Sequence, residues 1–313
     1  MKSILIVFIS FLSLSINAQI NIGPAEKVTP HQKDFEKGDL DLLKATKTLF
    51  IYRTGDEDNL DEFKEIIRPV WNITELEFIS WEEYKENTYD ESYSYITLGG
   101  LSNSSGNVYF FLSLWLEHND QKKTYFRIDL FPSFETFDKI MDYTGDGTFK
   151  ALDYMYSDAD FRNWNLGFLK NYLQYANNSL KENKNRWLFK NETDPEIKDM
   201  KDYILYIPEY IFIAMAKFTG DESKQLDRQK IMKDYKYRYK IVSRKKLSEI
   251  ITESEHPVHY LIYVKSSTDK FITIINSETG KIVYAKYKAL SYNVKSKDFK
   301  EIMKAINTNI PSD

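Results

Sequence analysis

The order of apolar runs, caps and turns predicts an α/β (α+β) fold: two related β-α-β-α-β-β-β-α units in tandem, with a helical insert between them. Three observations lead there. Short runs rich in Ile, Val, Tyr and Phe alternate with segments whose apolar residues recur at helical spacing. The same element order is met twice along the chain. At 313 residues and 42% hydrophobic content, the chain is long and apolar enough for two cores. The boundaries that follow are residues 1–18 (signal peptide), 19–47 (a charged, loosely ordered lead-in), 48–141 (first unit), 142–196 (insert) and 197–313 (second unit).

In the first unit, Thr48 to Tyr52 is a strand pattern. Leu60, Phe63, Ile66, Ile67 and Val70 then recur at helical spacing, and Pro69 ends that helix. Ile73 to Ser80 alternates as a strand. Ser80 followed by Glu83 is a capping box that opens a short helix. Tyr93 to Leu98 reads as a strand and Gly99 to Asn107 as a connection. Val108 to Glu117 and Thr124 to Phe131 form a hairpin around His118-Asn119-Asp120-Gln121. A helix from Ser133 to Met141 closes the unit. In the second unit, Ile204 to Ile207, Asp227 to Tyr235, Tyr239 to Ser243, Lys245 to Thr252, His259 to Val264, Lys270 to Asn276, Lys281 to Tyr287 and Lys297 to Ile306 repeat that order. Between the units, Phe168, Leu169, Tyr172, Leu173, Ala176 and Leu180 make the apolar stripe of a helix, expected to pack across both. Pairing of the units about a pseudo-twofold axis leaves a groove between them as a partner site.

The β-α-β-α-β-β order in an exported chain resembles the N-terminal domain of TolB and the periplasmic LpoB-like activators. That resemblance implies a domain that binds other cell-envelope proteins, and it assigns no residues. The export itself is read from Met1-Lys2, the apolar run Ile4 to Leu14, and the cleavage-like Ser15-Ile16-Asn17-Ala18. The tail Asn17-Ala18-Gln19 is similar to signal peptides of exported Bacteroidota proteins. Cleavage near Ala18 implies a periplasmic or secreted protein. No other segment is long and apolar enough to span a bilayer, the richest being Ile204 to Ala216 with Pro208 and Glu209 inside it.

Composition narrows the function. The absence of cysteine excludes a disulfide scaffold, a thiol nucleophile and a Cys-based zinc site. A net charge of -4 argues against nucleic-acid binding by the molecule as a whole. The charge is nonetheless polarised: residues 19–141 hold 23 acidic and 13 basic side chains, and residues 196–313 hold 16 and 22.

Three constellations are candidates for chemistry. Asp142, Thr144, Asp146 and Asp153 fall at positions 1, 3, 5 and 12 of a Ca²⁺-loop count, with Gly147 at 6. Lys150 at position 9 and the short arm of Asp153 depart from that pattern, and a Gly-rich turn after a helix accounts for the same residues. Glu255-His256-Pro257-Val258-His259 places two histidines three apart, which in a strand sends them to opposite faces. The basic stretch Arg228, Lys230, Lys233, Lys236, Arg238, Lys240, Arg244, Lys245 and Lys246, interleaved with tyrosines, suits a polyanion or an acidic partner. No nucleophile elbow, phosphate loop or dinucleotide fingerprint occurs. The expectation is therefore an exported, non-catalytic binding or assembly protein of the envelope, with no cofactor beyond a candidate Ca²⁺. The alternatives are an envelope-polymer hydrolase using a carboxylate pair or a metal, and a Ca²⁺-dependent binding module.

Overall fold

The computed structural model describes residues 21–22, 35, 38–86, 91–102, 108–144, 148–184, 191–216, 222–266 and 268–308. The signal-peptide segment lies outside the described residues. The first sheet contains β1 (Lys47–Tyr52), β2 (Glu75–Ser80), β3 (Tyr93–Ser102), β4 (Val108–His118) and β5 (Gln121–Leu130). Its strand order is β2-β1-β3-β4-β5, with β1 parallel to β2 and β3 and the rest antiparallel. Helices α1 (Leu60–Ile67) and α2 (Trp81–Glu86) are its crossovers, and α3 (Phe134–Thr144) follows β5.

After the insert helices α4 (Thr148–Ser157) and α5 (Leu166–Lys181) come β6 (Leu205–Pro208), α6 (Arg228–Met232), β7 (Tyr239–Val242), α7 (Arg244–Glu253), β8 (His259–Ser266), β9 (Asp269–Asn276), β10 (Ile282–Lys288) and α8 (Ser296–Asn307). The second sheet runs β7-β6-β8-β9-β10, with the same parallel and antiparallel senses as the first. Short strands flank each sheet: Asn21–Ile22 beside β3 and Glu192–Thr193 beside β10.

Local chemistry explains most boundaries. Asn119 and Asp120 both adopt positive φ (52° and 57°), the turn that matches the twist of the β4-β5 hairpin. Ser133, Asp227 and Ser243 accept hydrogen bonds from the backbone N–H three residues on, so each caps its helix. Pro69 sits in a 3₁₀ turn, Arg68–Val70, that ends α1. The structure departs from the sequence reading at four places. Gly99 and Gly100 are strand, because β3 is held on one side by Phe111 and Phe110 and on the other by the Asn21–Ile22 strand. The lead-in forms a helix, Asp39–Lys44, whose Leu43 is fully buried and whose Asp39 carbonyl accepts from the Tyr125 hydroxyl. The insert holds the additional helix α4. Ile213–Met215 and Glu222–Gln225 pair as a hairpin within the second unit.

The apolar stripe of α5 is shared by both sheets. In the first unit α5 packs on α1 and the turn after it, where the Asn177 side chain accepts from the Asn72 amide. In the second unit Phe168 stacks on Tyr260 at 5.5 Å, and Asn171 bonds to the Tyr260 hydroxyl and the Ser277 carbonyl. Gly167 lets α5 and α7 touch: a Cβ there would lie 2.9 Å from Ile251 Cβ and 3.1 Å from Ser248 Cα.

Ring contacts fix the stacking direction. Phe63 of α1, Trp71 and Phe137 of α3 meet Phe50, Phe126 and Phe110, which the strand register places on one face of the first sheet. Tyr84 of α2 meets Tyr95 on the opposite face. In the second sheet, α5 meets Tyr260, whereas α8 reaches Lys270 on the other face. The α1/α3 face of the first sheet therefore looks toward the α7 face of the second. The units stack in the same sense and are not related by a twofold axis.

The link between them is short and well held. Arg53 donates to the Met155 and Ala159 carbonyls, Arg244 to Asp160 (2.7 Å) and the Phe161 carbonyl (2.9 Å), and Arg162 pairs with Glu222. Asn163, fully buried, binds the free edge of β5: its Oδ1 accepts from the Phe131 amide at 2.7 Å and its Nδ2 donates to the Asp129 carbonyl at 3.0 Å.

Candidate functional site

A cavity of about 130 Å³ lies where the two sheets meet beside α5. Phe126 and Ile128 of β5, Tyr172, Tyr175 and Ala176 of α5, and Ile262, Val264, Phe271 and Ile275 of β8 and β9 wall it. It sits against β5 because β5 is the end strand of its sheet. With no strand beyond it among the described residues, side chains from both of its faces reach the opening, the apolar Phe126 and Ile128 and the polar Arg127 and Asp129 alike.

Those two polar residues start a charged patch at the rim. Arg127 Nε donates to Asp129 Oδ1 at 2.9 Å, and the guanidinium lies 4.4 Å from the Phe111 ring centre and 5.5 Å from that of Tyr109. Aromatic faces on a guanidinium hold it flat and limit its motion. Asp269, at the start of β9, receives hydrogen bonds from the Leu290 backbone and from Tyr287 and Thr268. Burial pushes its carboxyl above the usual carboxylate range. The nearby Asp129 charge adds to that, and the hydrogen bonds only partly offset it. Burial also raises the Tyr109 phenol, helped by Asp269 and Asp129. The patch thus joins residues far apart in sequence: a pinned arginine, one carboxylate paired with it, and a second carboxyl biased toward protonation. The apolar space beside them suits a ring or branched chain, and the rim can bond a polar group attached to it.

The residues singled out from sequence lie elsewhere. Asp142 and Thr144 are in α3 and Asp153 is in α4, while Asp146 is outside the described residues. Asp153 accepts from Trp81 Nε1 (2.6 Å) and Lys85 Nζ (2.8 Å), so its carboxylate serves the α2–α4 contact. Among the described residues no group of three or more Asp, Glu or His side chains is placed to hold a metal ion.

The basic stretch is divided. Arg228 pairs with Glu209, Arg238 donates to the Asp202 carbonyl, Arg244 reaches Asp160 and Lys246 pairs with Glu249. Lys236 donates to the Lys233 carbonyl. Lys230, Lys233, Lys240 and Lys245 are exposed. Sequence reasoning missed Arg127, Asp129 and Asp269. The one available signal was a pair of opposite charges two apart in a strand, on one face by alternation, and that pattern also describes a solvent-facing edge.

The two histidines are not on one strand: His256 lies in the bend before β8, and His259 is the first residue of β8. His256 is exposed, and His259 is 1% exposed beneath Glu196 and Tyr203. Neither ring nitrogen of His259 has a hydrogen-bond partner among the described residues, and its Nε2 is 3.5 Å from Glu196 Oε1. Burial pushes the imidazole below its ordinary value, and Glu196 and Asp199 only partly offset this. The unfolded chain then takes up the proton first as pH falls. Stability from this site is fully present above about pH 6.5 and declines below it, down to the folded-state value. His259→Leu is expected to flatten the pH dependence of the urea midpoint below about pH 6.5. An unchanged slope would show that His259 is not the group responsible.

No helix among the described residues is long and apolar enough to cross a membrane. Comparison with known proteins finds no family, no curated protein and no solved structure that matches the chain.

Proposed function

We propose that the chain is an exported, non-catalytic binding protein of the cell envelope, and that its ligand enters the cavity between the two units. The observation that supports this most is the joint construction of the cavity: one wall from the end strand of the first sheet, one from the second sheet, and α5 between them. An apolar cavity of roughly 150 Å³ accommodates a benzene ring, so a space of this order suits one aromatic or branched aliphatic group. Arg127, Asp129 and Asp269 would orient the polar part of the molecule that carries it. The shared strand order of the two sheets supports an origin by internal duplication, with the binding site arising at the seam.

The test is a selection of peptides on the purified chain, followed by calorimetry on those enriched. Ligands with an aromatic or branched aliphatic anchor are expected, and Thr273→Trp, which fills the cavity, should weaken them at least tenfold. Equal binding by that variant would place the ligand elsewhere.

One observation favours a second reading. Two buried carboxyls, one held by arginine and one biased toward protonation, have the asymmetry of an acid/base pair in a hydrolase. Turnover of an envelope polysaccharide or peptide by the purified chain, lost in both Asp129→Asn and Asp269→Asn, would establish it over the binding reading.

A further inference from the structure

Equivalent helices in the two units carry opposite charge. α1 exposes Asp61, Glu62 and Glu65, whereas α6 exposes Arg228 and Lys230, with Lys233 just beyond. α2 exposes Glu82, Glu83 and Glu86, whereas α7 begins Arg244-Lys245-Lys246. Three cations in the first turn of α7 oppose its dipole, so local helix stability does not explain them. Arg244 is accounted for by its bond to Asp160 at the link between the units.

On α6, Arg228 pairs with Glu209, whereas Lys230 and the following Lys233 are exposed. Lys236 N–H meets Met303 Sδ and the Tyr237 hydroxyl bonds to Asn307, which seats the end of α6 on α8. α8 adds exposed Lys297, Lys300 and Lys304 around a shallow groove that also includes Asp234 and Glu301. The basic surface is therefore larger than the sequence stretch suggested, and it belongs to two helices.

Its position follows from the stacking. Along the stack come α2, the first sheet, then α1, α3, α5 and α7 as the middle layer, then the second sheet, then α6 and α8. The two ends of the molecule are thus unlike: one carries the acidic α2 and the other the basic α6/α8 face. The same stacking operation that relates the units inside one chain would bring the basic end of one copy onto the acidic end of the next. A contact between unlike surfaces is heterologous and can repeat.

We infer that the α6/α8 lysine face docks on the acidic α2 end of a second copy, giving head-to-tail assembly. This is independent of what the cavity holds. Exposed ion pairs are individually weak and screened by salt, so the assembly is reversible and strongest at low ionic strength.

The test is sedimentation velocity of the full chain at about 20 mM and about 300 mM NaCl, where screening differs several-fold in length. The weight-average mass is expected to at least double at low salt and return to that of the monomer at high salt. Two charge-reversed variants isolate the faces: Lys233→Glu with Lys300→Glu and Lys304→Glu, and Glu82→Lys with Glu86→Lys. Each alone should stay monomeric at low salt. Mixed in equal amounts they should associate, because each now offers the complement of the other, and recovery on mixing also shows that both are folded. A monomeric parent chain at low salt overturns the proposal, as does association that survives in either variant alone. Retention of a monomeric parent chain on immobilised heparin would assign the lysine face to an acidic polymer and equally overturn it.

Discussion

Replacing Lys270 with methionine is expected to lower the unfolding free energy by about 3–5 kcal/mol, the usual loss when one partner of a buried ion pair is removed. Lys270 is 1% exposed. Its ammonium donates to Asp298 Oδ2 at 2.7 Å and to the Asn293 carbonyl at 2.9 Å. Asp298 is itself buried, and it also accepts from Lys288 (2.6 Å) and from the Lys295 amide that opens α8. Burial by itself would push the Asp298 carboxyl up, but Lys270, Lys288 and the Lys295 amide together hold it below the usual range. Methionine matches the length of the lysine stem and leaves the carboxylate with one cation fewer in an apolar setting. Lys288→Met should cost much less, because that ammonium is partly solvated and the Lys270 bond remains. Urea titration at constant slope measures both. A loss under about 1 kcal/mol for Lys270→Met would mean that the pair is not desolvated in solution.

Asn163→Ala is expected to be of similar size. It strips partners from the Phe131 amide and the Asp129 carbonyl, and each buried backbone group left unpaired costs roughly 1–3 kcal/mol. Tyr172→Phe removes only the hydroxyl that Asn163 also contacts, and it should cost about 1 kcal/mol. If the two substitutions destabilise equally, the side chain of Asn163 is not what completes the edge of β5.

Much of the fold was legible because its signals are local. Apolar spacing in Leu60 to Val70, the Ser80 cap, the Asn119-Asp120 turn and the stripe on α5 each act within a few residues. What was not legible depends on distant neighbours. Gly99-Gly100 is strand only because Phe110, Phe111 and Ile22 pair with it, against the usual weakness of glycine in strands. The direction of stacking depends on which helix α5 touches in each unit, and no residue pattern records that. The charged patch beside the cavity sets Asp269 near Asp129, two residues that no local pattern connects. Charge was visible in the basic stretch, but its division into four paired side chains and an outward lysine face was set by partners such as Asp160, Asp202, Glu209 and Glu249.

The placement of α5 has a consequence for what counts as a unit of folding. Its buried stripe, from Phe168 to Leu180, supplies part of the interior of both sheets at once. Neither half can close its interior until this helix is present, and the helix has no isolated reason to persist without both halves. The strand order is that of two domains, yet the cooperative element is one. Once the seam opens, whether by heat, acid or the loss of the Asn163 bridge, both halves lose the same helix together.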